Sequence, residues 1–180
     1  MRDSLEEKTI SRDVIYKGRI IELSVHEVVL PDGKESKREI INHPGAVAVL
    51  AVNEDGKLIL VKQYRKALEK SIAEIPAGKL EQGEDPAVCA KRELEEETGY
   101  RAGSLEKVMS FYTSPGFADE IVHLYEAKDL AEGSAETDED EFVELLEVSF
   151  DEAVQLIRDE TIHDAKTICA IQHYLLTAGR

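Results

Sequence analysis

The most informative part of the sequence is GKLEQGEDPAVCAKRELEEETGY, residues 78 to 100. Asp85 can cap a helix, Pro86 suits the first helical position, and no breaker follows as far as Thr98. Gly99 can adopt the left-handed conformation that commonly ends a helix. The sequence therefore predicts a helix over residues 86–98, preceded by a loop that begins at a glycine.

Carboxylates gather on one side of this predicted helix. At about 3.6 residues per turn, Glu93 and Glu97 lie one turn apart, with Glu96 beside them, while Ala90 and Leu94 point toward a core. Like charges at this spacing destabilise a helix by roughly a few tenths of a kcal/mol, so a cation is expected there. Oxygen ligands without His or Cys suit Mg²⁺ or Mn²⁺, and Mg²⁺ is usually completed by substrate phosphates. The pattern predicts metal-dependent chemistry on a phosphate ester or anhydride.

The spacing of glycines and charged residues resembles the Nudix hydrolase box. Gly78 is followed after five residues by Glu84, and after seven more by RELEEETG at 92–99. The one departure is Tyr100, where the family usually has an aliphatic residue, and this change should affect packing more than chemistry. A solvated acidic helix would explain the charges, but it would explain neither the two glycines nor the arginine.

The resemblance implies a set of metal ligands. Glu93 and Glu97 are expected to bind the metal, Glu96 to be a further ligand or to hold a metal-bound water, and the backbone carbonyl of Ala77 to reach the ion. The expected cofactor is Mg²⁺, with Mn²⁺ as a substitute.

The resemblance also implies supporting and catalytic roles outside the ligand set. Arg92 is expected to pair with Glu84 and brace the loop against the helix. In the branch of the family that acts on ADP-ribose, a general base comes from a loop after the sheet, and the matching segment here is 136–141. We favour Glu139, with Glu141 next, and most carboxylates of this run are expected to be solvated charges. Glu95 is expected to face solvent and to tolerate change.

Two further segments resemble the ADP-ribose pyrophosphatase branch of the family. One is Ser114-Pro115-Gly116, whose proline lies 15 residues beyond Tyr100, although an ordinary turn explains it equally well by composition. The other is QYRK at 63–66, which leads to EIPAG at 74–78. The resemblance covers roughly residues 12–178.

Five residues outside the box are candidates for substrate binding. Arg65 and Arg38 can grip a diphosphate, since a guanidinium offers a two-pronged donor, although either can also be a surface charge. Glu120 can hydrogen-bond ribose or a water bound to the diphosphate. Tyr16 or Phe117 can stack on adenine, although aromatic residues are more often part of a core.

The main functional hypothesis is Mg²⁺-dependent hydrolysis of the diphosphate bond of ADP-ribose to AMP and ribose 5-phosphate. The box contacts only phosphate and metal, so the same chemistry on another nucleoside diphosphate sugar, such as GDP-mannose, stays open. A catalytically silent nucleotide-binding module is a third possibility, but its usual mark is the loss of box carboxylates, and all are present here. An acidic protein-interaction domain is a fourth, and it predicts that Glu97→Gln would leave function unchanged.

Composition limits the partners. With 38 acidic and 22 basic residues the net charge is −16, which argues against binding to nucleic acid or to an anionic membrane. An anionic substrate would be repelled as well, unless divalent ions bridge it to the carboxylates. The longest apolar run, 46–52, is too short to span a bilayer and the N-terminus is too charged for a secretory signal, so a cytoplasmic protein is expected. Cys89 and Cys169 are expected to be reduced thiols.

The remaining pattern predicts an α/β/α sandwich around a mixed sheet, which is also the fold that the resemblance implies. A capping box at Ser149 to Glu152 opens one helix, and Asp164 can cap another at about 165–177. We predict one domain over 1–180, with N-terminal strands in 1–43 and a catalytic core in 44–180. The N-terminal strands resemble the part of the ADP-ribose pyrophosphatase branch that exchanges between subunits, and this resemblance implies a homodimer. Strands are predicted at 12–30, 37–43, 46–52, 57–63, 105–112, 121–127 and 142–148.

Overall fold

A computed structural model of the protein describes residues 4–134 and 142–177. The chain divides into two compact units, one formed by Met1–Gly45 with Tyr112–Ile121 and the other by Ala46–Phe111 with Val122–Arg180. None of the helices in the described ranges combines the length and apolar character that a membrane crossing requires. The single domain over 1–180 stays a prediction.

The first unit contains an antiparallel sheet of three strands in the order β1-β2-β3. The prediction of one strand over 12–30 is wrong, because the chain turns at Gly18, whose N–H donates to the carbonyl of Ile21 at 2.9 Å. The second turn falls where the sequence predicts it, with Gly33 at a φ of +86°. The strands are β1 at Lys8–Lys17, β2 at Glu22–Val29 and β3 at Glu35–Asn42.

Two further sheets lie mainly in the second unit. A mixed sheet has the order β7-β4-β9-β8, in which β4 and β9 are parallel, and an antiparallel sheet has the order β10-β5-β6. Lys66–Leu68 form a short 3-10 helix between β5 and β6. The strands are β4 at Ala46–Ala51, β5 at Leu58–Arg65, β6 at Lys70–Glu74, β7 at Ala77–Lys79, β8 at Tyr100–Tyr112, β9 at Ile121–Glu132 and β10 at Val143–Val148.

The described residues form three helices: α1 at Pro86–Thr98, α2 at Phe150–Arg158 and α3 at Ala165–Thr177. Alternate residues of a strand point to opposite faces, and β4 follows this rule. Val47 packs in a core with Leu94 of α1, whereas Leu50 packs in a second core with Ile171 of α3. Both cores are fully buried, and the predicted α/β/α fold class is confirmed.

The structure extends several predicted strands and adds two that the sequence pattern did not reveal. β8 begins at Tyr100 because Gly99, at a φ of +73°, turns the chain from α1 directly into the strand. β6 and β7 are short, and β7 contains Gly78, so neither carries a clear alternation of apolar residues. Both cysteines are free, as predicted, and burial raises the pKa of the Cys89 thiol to about 12.

Candidate active site

The helix that carries the box has the bounds that the sequence predicts. The Asp85 carboxylate accepts hydrogen bonds from the backbone N–H groups of Ala87 at 2.8 Å and Val88 at 3.3 Å. At the other end, the N–H of Gly99 donates to the carbonyl of Glu95. The cap and the left-handed stop therefore fix which residues α1 presents to its surroundings.

The start of the box packs closely against two of the predicted metal ligands. A Cβ built on Gly78 would lie 1.8 Å from Cδ of Glu93, so the Glu93 carboxylate occupies space that any other residue at 78 would fill. Glu97 is only 4% exposed, and its Oε2 accepts a hydrogen bond from the N–H of Ala77 at 3.0 Å. The short strand β7 thus lies directly against the carboxylates of Glu93 and Glu97.

Arg92 connects the other charged residues of the box. Its Nη1 donates to Oε1 of Glu93 at 2.8 Å and to Oε2 of Glu96 at 2.9 Å. Its Nε and Nη2 donate to the Glu84 carboxylate at 3.2 and 3.3 Å, so the predicted pairing with Glu84 is present. Burial lowers the pKa of Arg92, but the surrounding carboxylates outweigh this effect and raise it. The hydrogen bond from Arg92 in turn lowers the pKa of Glu84.

The donor atoms of this cluster suit a divalent metal ion. Three carboxylates surround one guanidinium, so the cluster carries an excess of negative charge, and these carboxylates offer the oxygen ligands that Mg²⁺ prefers. Over 4–134 and 142–177, no three His, Cys, Asp or Glu side chains are arranged as a ready metal site. Instead, Nη1 of Arg92 bridges the carboxylates of Glu93 and Glu96 through hydrogen bonds. The assignment of metal ligands stays a prediction.

A cavity of about 270 Å³ opens beside the cluster. Glu95, which the sequence analysis places in solvent, is instead 29% exposed, and its Oε1 accepts a hydrogen bond from Nε of Arg101 at 2.6 Å. Arg101 was not among the predicted site residues. Its one signal in the sequence is that a basic residue closely follows the glycine that ends α1. The cavity is lined by Arg92, Glu95, Glu96, Arg101 and Ser134.

Arg65, a predicted substrate residue, lies in a separate ionic cluster at the end of β5. Its Nε and Nη2 donate to both oxygens of Glu74, at 2.5 and 2.9 Å. Glu74 is 2% exposed and also accepts a hydrogen bond from Nζ of Lys166, which pairs in turn with Asp164. This cluster was not predicted, although a glutamate inside the otherwise apolar run 72–75 indicates a buried charge that needs partners.

The other predicted substrate residues lie in the first unit. Arg38 forms a two-pronged ion pair with the Glu7 carboxylate, at 2.8 and 2.6 Å, and Glu120 accepts a hydrogen bond from the Thr113 hydroxyl at 2.6 Å. The aromatic side chains are accessible, since Tyr16 is 57% and Phe117 is 54% exposed. The predicted general bases, Glu139 and Glu141, lie outside the described residues.

Comparison with known proteins identifies the family. Residues 42–171 match the NUDIX domain, and residues 7–41 match the nucleoside diphosphate sugar hydrolase N-terminal domain. The chain therefore belongs to the Nudix family of hydrolases and is an enzyme. Members of this family generally use divalent metal ions.

Within the family, the resemblance to ADP-ribose pyrophosphatases is confirmed. The chain is 59% identical to the ADP-ribose pyrophosphatase of Bacillus subtilis over 175 residues, which cover 96% of this chain and 95% of that protein. It is 58% identical to the methanol dehydrogenase activator of Bacillus methanolicus, covering 95% and 94% of the two chains. It is 38% identical to the GDP-mannose pyrophosphatase of Cronobacter sakazakii, covering 84% and 85%.

A solved structure shares the fold. The crystal structure of an ADP compounds hydrolase superposes with a TM-score of 0.85, covering 99% of this chain and 100% of the other at 22% sequence identity. At this identity the likeness concerns the fold alone.

Proposed function

We propose that the protein hydrolyses the diphosphate bond of ADP-ribose, releasing AMP and ribose 5-phosphate, with Mg²⁺ as cofactor and Mn²⁺ as a substitute. The observation that carries this proposal is the cluster of box carboxylates, with its excess negative charge, held against Gly78 and Ala77. The identity with the B. subtilis ADP-ribose pyrophosphatase supports the choice of substrate.

The residues that would hold the metal are Glu93, Glu96 and Glu97, with the backbone carbonyl of Ala77. Bound there, Mg²⁺ would activate water and neutralise charge on the diphosphate. The strongly negative chain makes this neutralisation necessary, because carboxylates alone repel an anionic substrate.

The protein's own groups have three tasks in this reaction. Arg92 fixes the orientation of Glu93 and Glu96, and the hydrogen bond from Ala77 fixes Glu97. These carboxylates would therefore lose little conformational freedom on binding a metal ion. A carboxylate, Glu139 or else Glu141, accepts a proton from the attacking water. The water oxygen bonds to one phosphorus, the bridging P–O bond breaks, and the leaving phosphate keeps the bridging oxygen.

Substrate recognition is proposed for residues beyond the box. The exposed rings of Tyr16 and Phe117 support stacking on adenine, and Glu120 is proposed to contact ribose or a water on the diphosphate. Arg38 and Arg65 are proposed to contact the diphosphate. Their carboxylate partners, Glu7 and Glu74, support this role by holding each guanidinium in one orientation.

We also propose a homodimer that uses the N-terminal sheet. β1 is an edge strand, and several of its apolar side chains are exposed. Such an edge needs covering, and a second copy of the chain would cover it. The exposed apolar residues of β1 are Ile10, Val14, Ile15 and Tyr16. A monomeric mass by light scattering at micromolar concentration would refute the dimer.

A cytoplasmic location stays a prediction.

GDP-mannose is the second candidate substrate, and the similarity to the C. sakazakii enzyme favours it. The test is product analysis by mass spectrometry after incubation with Mg²⁺ and equal concentrations of ADP-ribose, GDP-mannose, NADH and a nucleoside triphosphate. Dominant AMP and ribose 5-phosphate would support the main proposal. Dominant GMP would move the specificity to GDP-mannose, and ligand binding without cleavage would indicate a silent module.

A further inference from the structure

The cavity beside α1 contains two arginines with different surroundings. The Arg92 guanidinium donates to three carboxylates, those of Glu84, Glu93 and Glu96, and its side chain is 33% exposed. Arg101 is 61% exposed and, within the described residues, its ion pair is with Glu95 through Nε. Arg92 is therefore committed to the box, whereas Arg101 is the cation that faces open space in the cavity.

The backbone allows Arg101 to lie along the wall of this cavity. A Cβ built on Gly133 would lie 3.0 Å from Cγ and 3.1 Å from Nε of Arg101, so a larger residue there would press on the arginine. The N–H of Gly133 also donates to the carbonyl of Gly99 at 2.6 Å, which fixes the end of β9 against the end of α1. Gly99 and Gly133 therefore bring the two backbone segments close together next to Arg101.

The excess negative charge of the box favours a nearby cation that can exchange its partner for an anionic substrate. The box supplies carboxylates in excess, and an arginine already shared among three of them has little capacity left for a phosphate. A guanidinium offers parallel N–H donors that match two oxygens of one phosphate group. Ser134, which also lines the cavity, has a hydroxyl that can donate as well.

We propose that Arg101 binds a phosphate group of the substrate in this cavity, and that Glu95 holds its guanidinium in place until the substrate displaces it. The proposal rests on the proposed hydrolysis of a nucleoside diphosphate sugar, and it adds a substrate-binding residue and a competing internal carboxylate to that site. The Arg101 guanidinium would then have an anionic partner in both states, Glu95 in the free enzyme and the phosphate group in the substrate complex.

The test compares Arg101→Gln with Arg158→Gln as a matched control. Each variant removes one positive charge, and Arg158 is an exposed residue of the last turn of α2 that does not line the cavity. We expect Arg101→Gln to raise KM for ADP-ribose about tenfold or more with a smaller change in kcat, because a charged hydrogen bond made to bound substrate is lost. Arg101→Lys should recover part of this loss. Equal KM values in Arg101→Gln and Arg158→Gln would overturn the proposal.

Glu95→Gln tests the competition separately. It weakens the internal acceptor and leaves the arginine, so KM should not rise. A rise as large as that of Arg101→Gln would overturn the competing role of Glu95. Thermal unfolding midpoints of all variants show whether the fold is kept.

A second readout separates this inference from the proposed function. If the wild-type enzyme cleaves none of the four nucleotides, the proposed function fails, and binding of inorganic pyrophosphate with Mg²⁺ is measured by calorimetry instead. Weaker binding by Arg101→Gln than by Arg158→Gln, about tenfold, would support the phosphate contact. Equal binding by the two variants would overturn it.

Discussion

The second unit contains two ionic clusters that differ in how their charges balance. Around Glu74, two carboxylates meet two cations, Arg65 and Lys166, and the central carboxylate is almost fully buried. Around Arg92, one guanidinium meets three carboxylates. In the balanced cluster each carboxylate has a cationic partner, and the ion pairs link β5, β6 and α3.

The unbalanced cluster keeps an excess of negative charge that another cation would compensate. Buried charges stabilise a fold only when each has a partner of opposite sign. Neighbouring carboxylates without such partners repel each other and destabilise the fold until a counter-ion binds. A count of the charges in each cluster therefore separates the balanced group of ion pairs from the site that is proposed to bind metal, even though both contain Arg and Glu. Substitutions that change the counts test this difference.

The largest effect is expected from Glu97→Gln, a box carboxylate that lies on the same helix as the unbalanced cluster. The amide oxygen of glutamine can still accept the hydrogen bond from Ala77, so the thermal unfolding midpoint should change little. Loss of the ligand charge should lower kcat/KM for ADP-ribose by roughly 10²–10³-fold, the scale for removing one key electrostatic group. Glu106→Gln, an exposed carboxylate of β8, serves as the control and should keep full activity. Activity near wild type in Glu97→Gln would remove Glu97 from the proposed ligand set.

The second effect is on stability, from Glu74→Gln in the balanced cluster. The substitution leaves two cations without their shared carboxylate, and breaking a buried pair costs about 3–5 kcal/mol. Because Arg65 is 40% exposed, we expect the lower end, about 3 kcal/mol, in urea unfolding. Glu144→Gln breaks an exposed pair with Lys62 and should cost less than about 1 kcal/mol. Similar losses in both variants would show that burial of Glu74 does not make its ion pairs more stabilising than an exposed pair.

A third effect concerns the close packing in the box. Gly78→Ala places a methyl group where the Glu93 carboxylate lies, so the carboxylate must move. We expect kcat/KM to fall by about ten- to a hundredfold, since displacing a catalytic group by about 1 Å can cost this much. Unchanged kinetics at saturating and at low Mg²⁺ would mean that the position of Glu93 is not critical.

The smallest effect is a dependence of the balanced cluster on pH. Burial raises the pKa of Glu74, but hydrogen bonds and charges from Arg65 and Lys166 outweigh it and lower the pKa below its ordinary 4.5. The cluster therefore stabilises the fold fully above 4.5, and this contribution is lost as pH falls through the lowered pKa. The difference in unfolding free energy between wild type and Glu74→Gln should be largest at neutral pH and should narrow in strong acid. A constant difference would contradict the lowered pKa.

Local signals explain what the sequence predicts well. The bounds of α1 follow from Asp85 and Gly99, which act on residues within one turn of themselves. The spacing of the box then places Glu93, Glu96 and Glu97 together on the helix. These features need no knowledge of distant parts of the chain.

The unpredicted features depend on residues that are far apart in sequence. Lys166 reaches Glu74 from α3, 92 residues away, and no periodic pattern marks such a pair. Likewise, Gly133 meets Arg101 only because β9 ends where α1 ends. The strand predicted at 12–30 failed for a different reason, since β-forming residues lie on both sides of the turn at Gly18 and hide it.

The parallel pairing of β4 with β9 has a consequence for how the protein is made. Ala46 lies beside Val122, so the mixed sheet cannot close until the ribosome has released more than two thirds of the chain, as a rough measure. The hairpins of β1, β2 and β3 join neighbouring segments and can form early. Between these events the ribosome releases all of α1, whereas β9, the strand that pairs with β4 in the mixed sheet, is not yet made. Synthesis therefore exposes the apolar face of α1 for a time, and this interval is when the nascent chain most needs protection from aggregation.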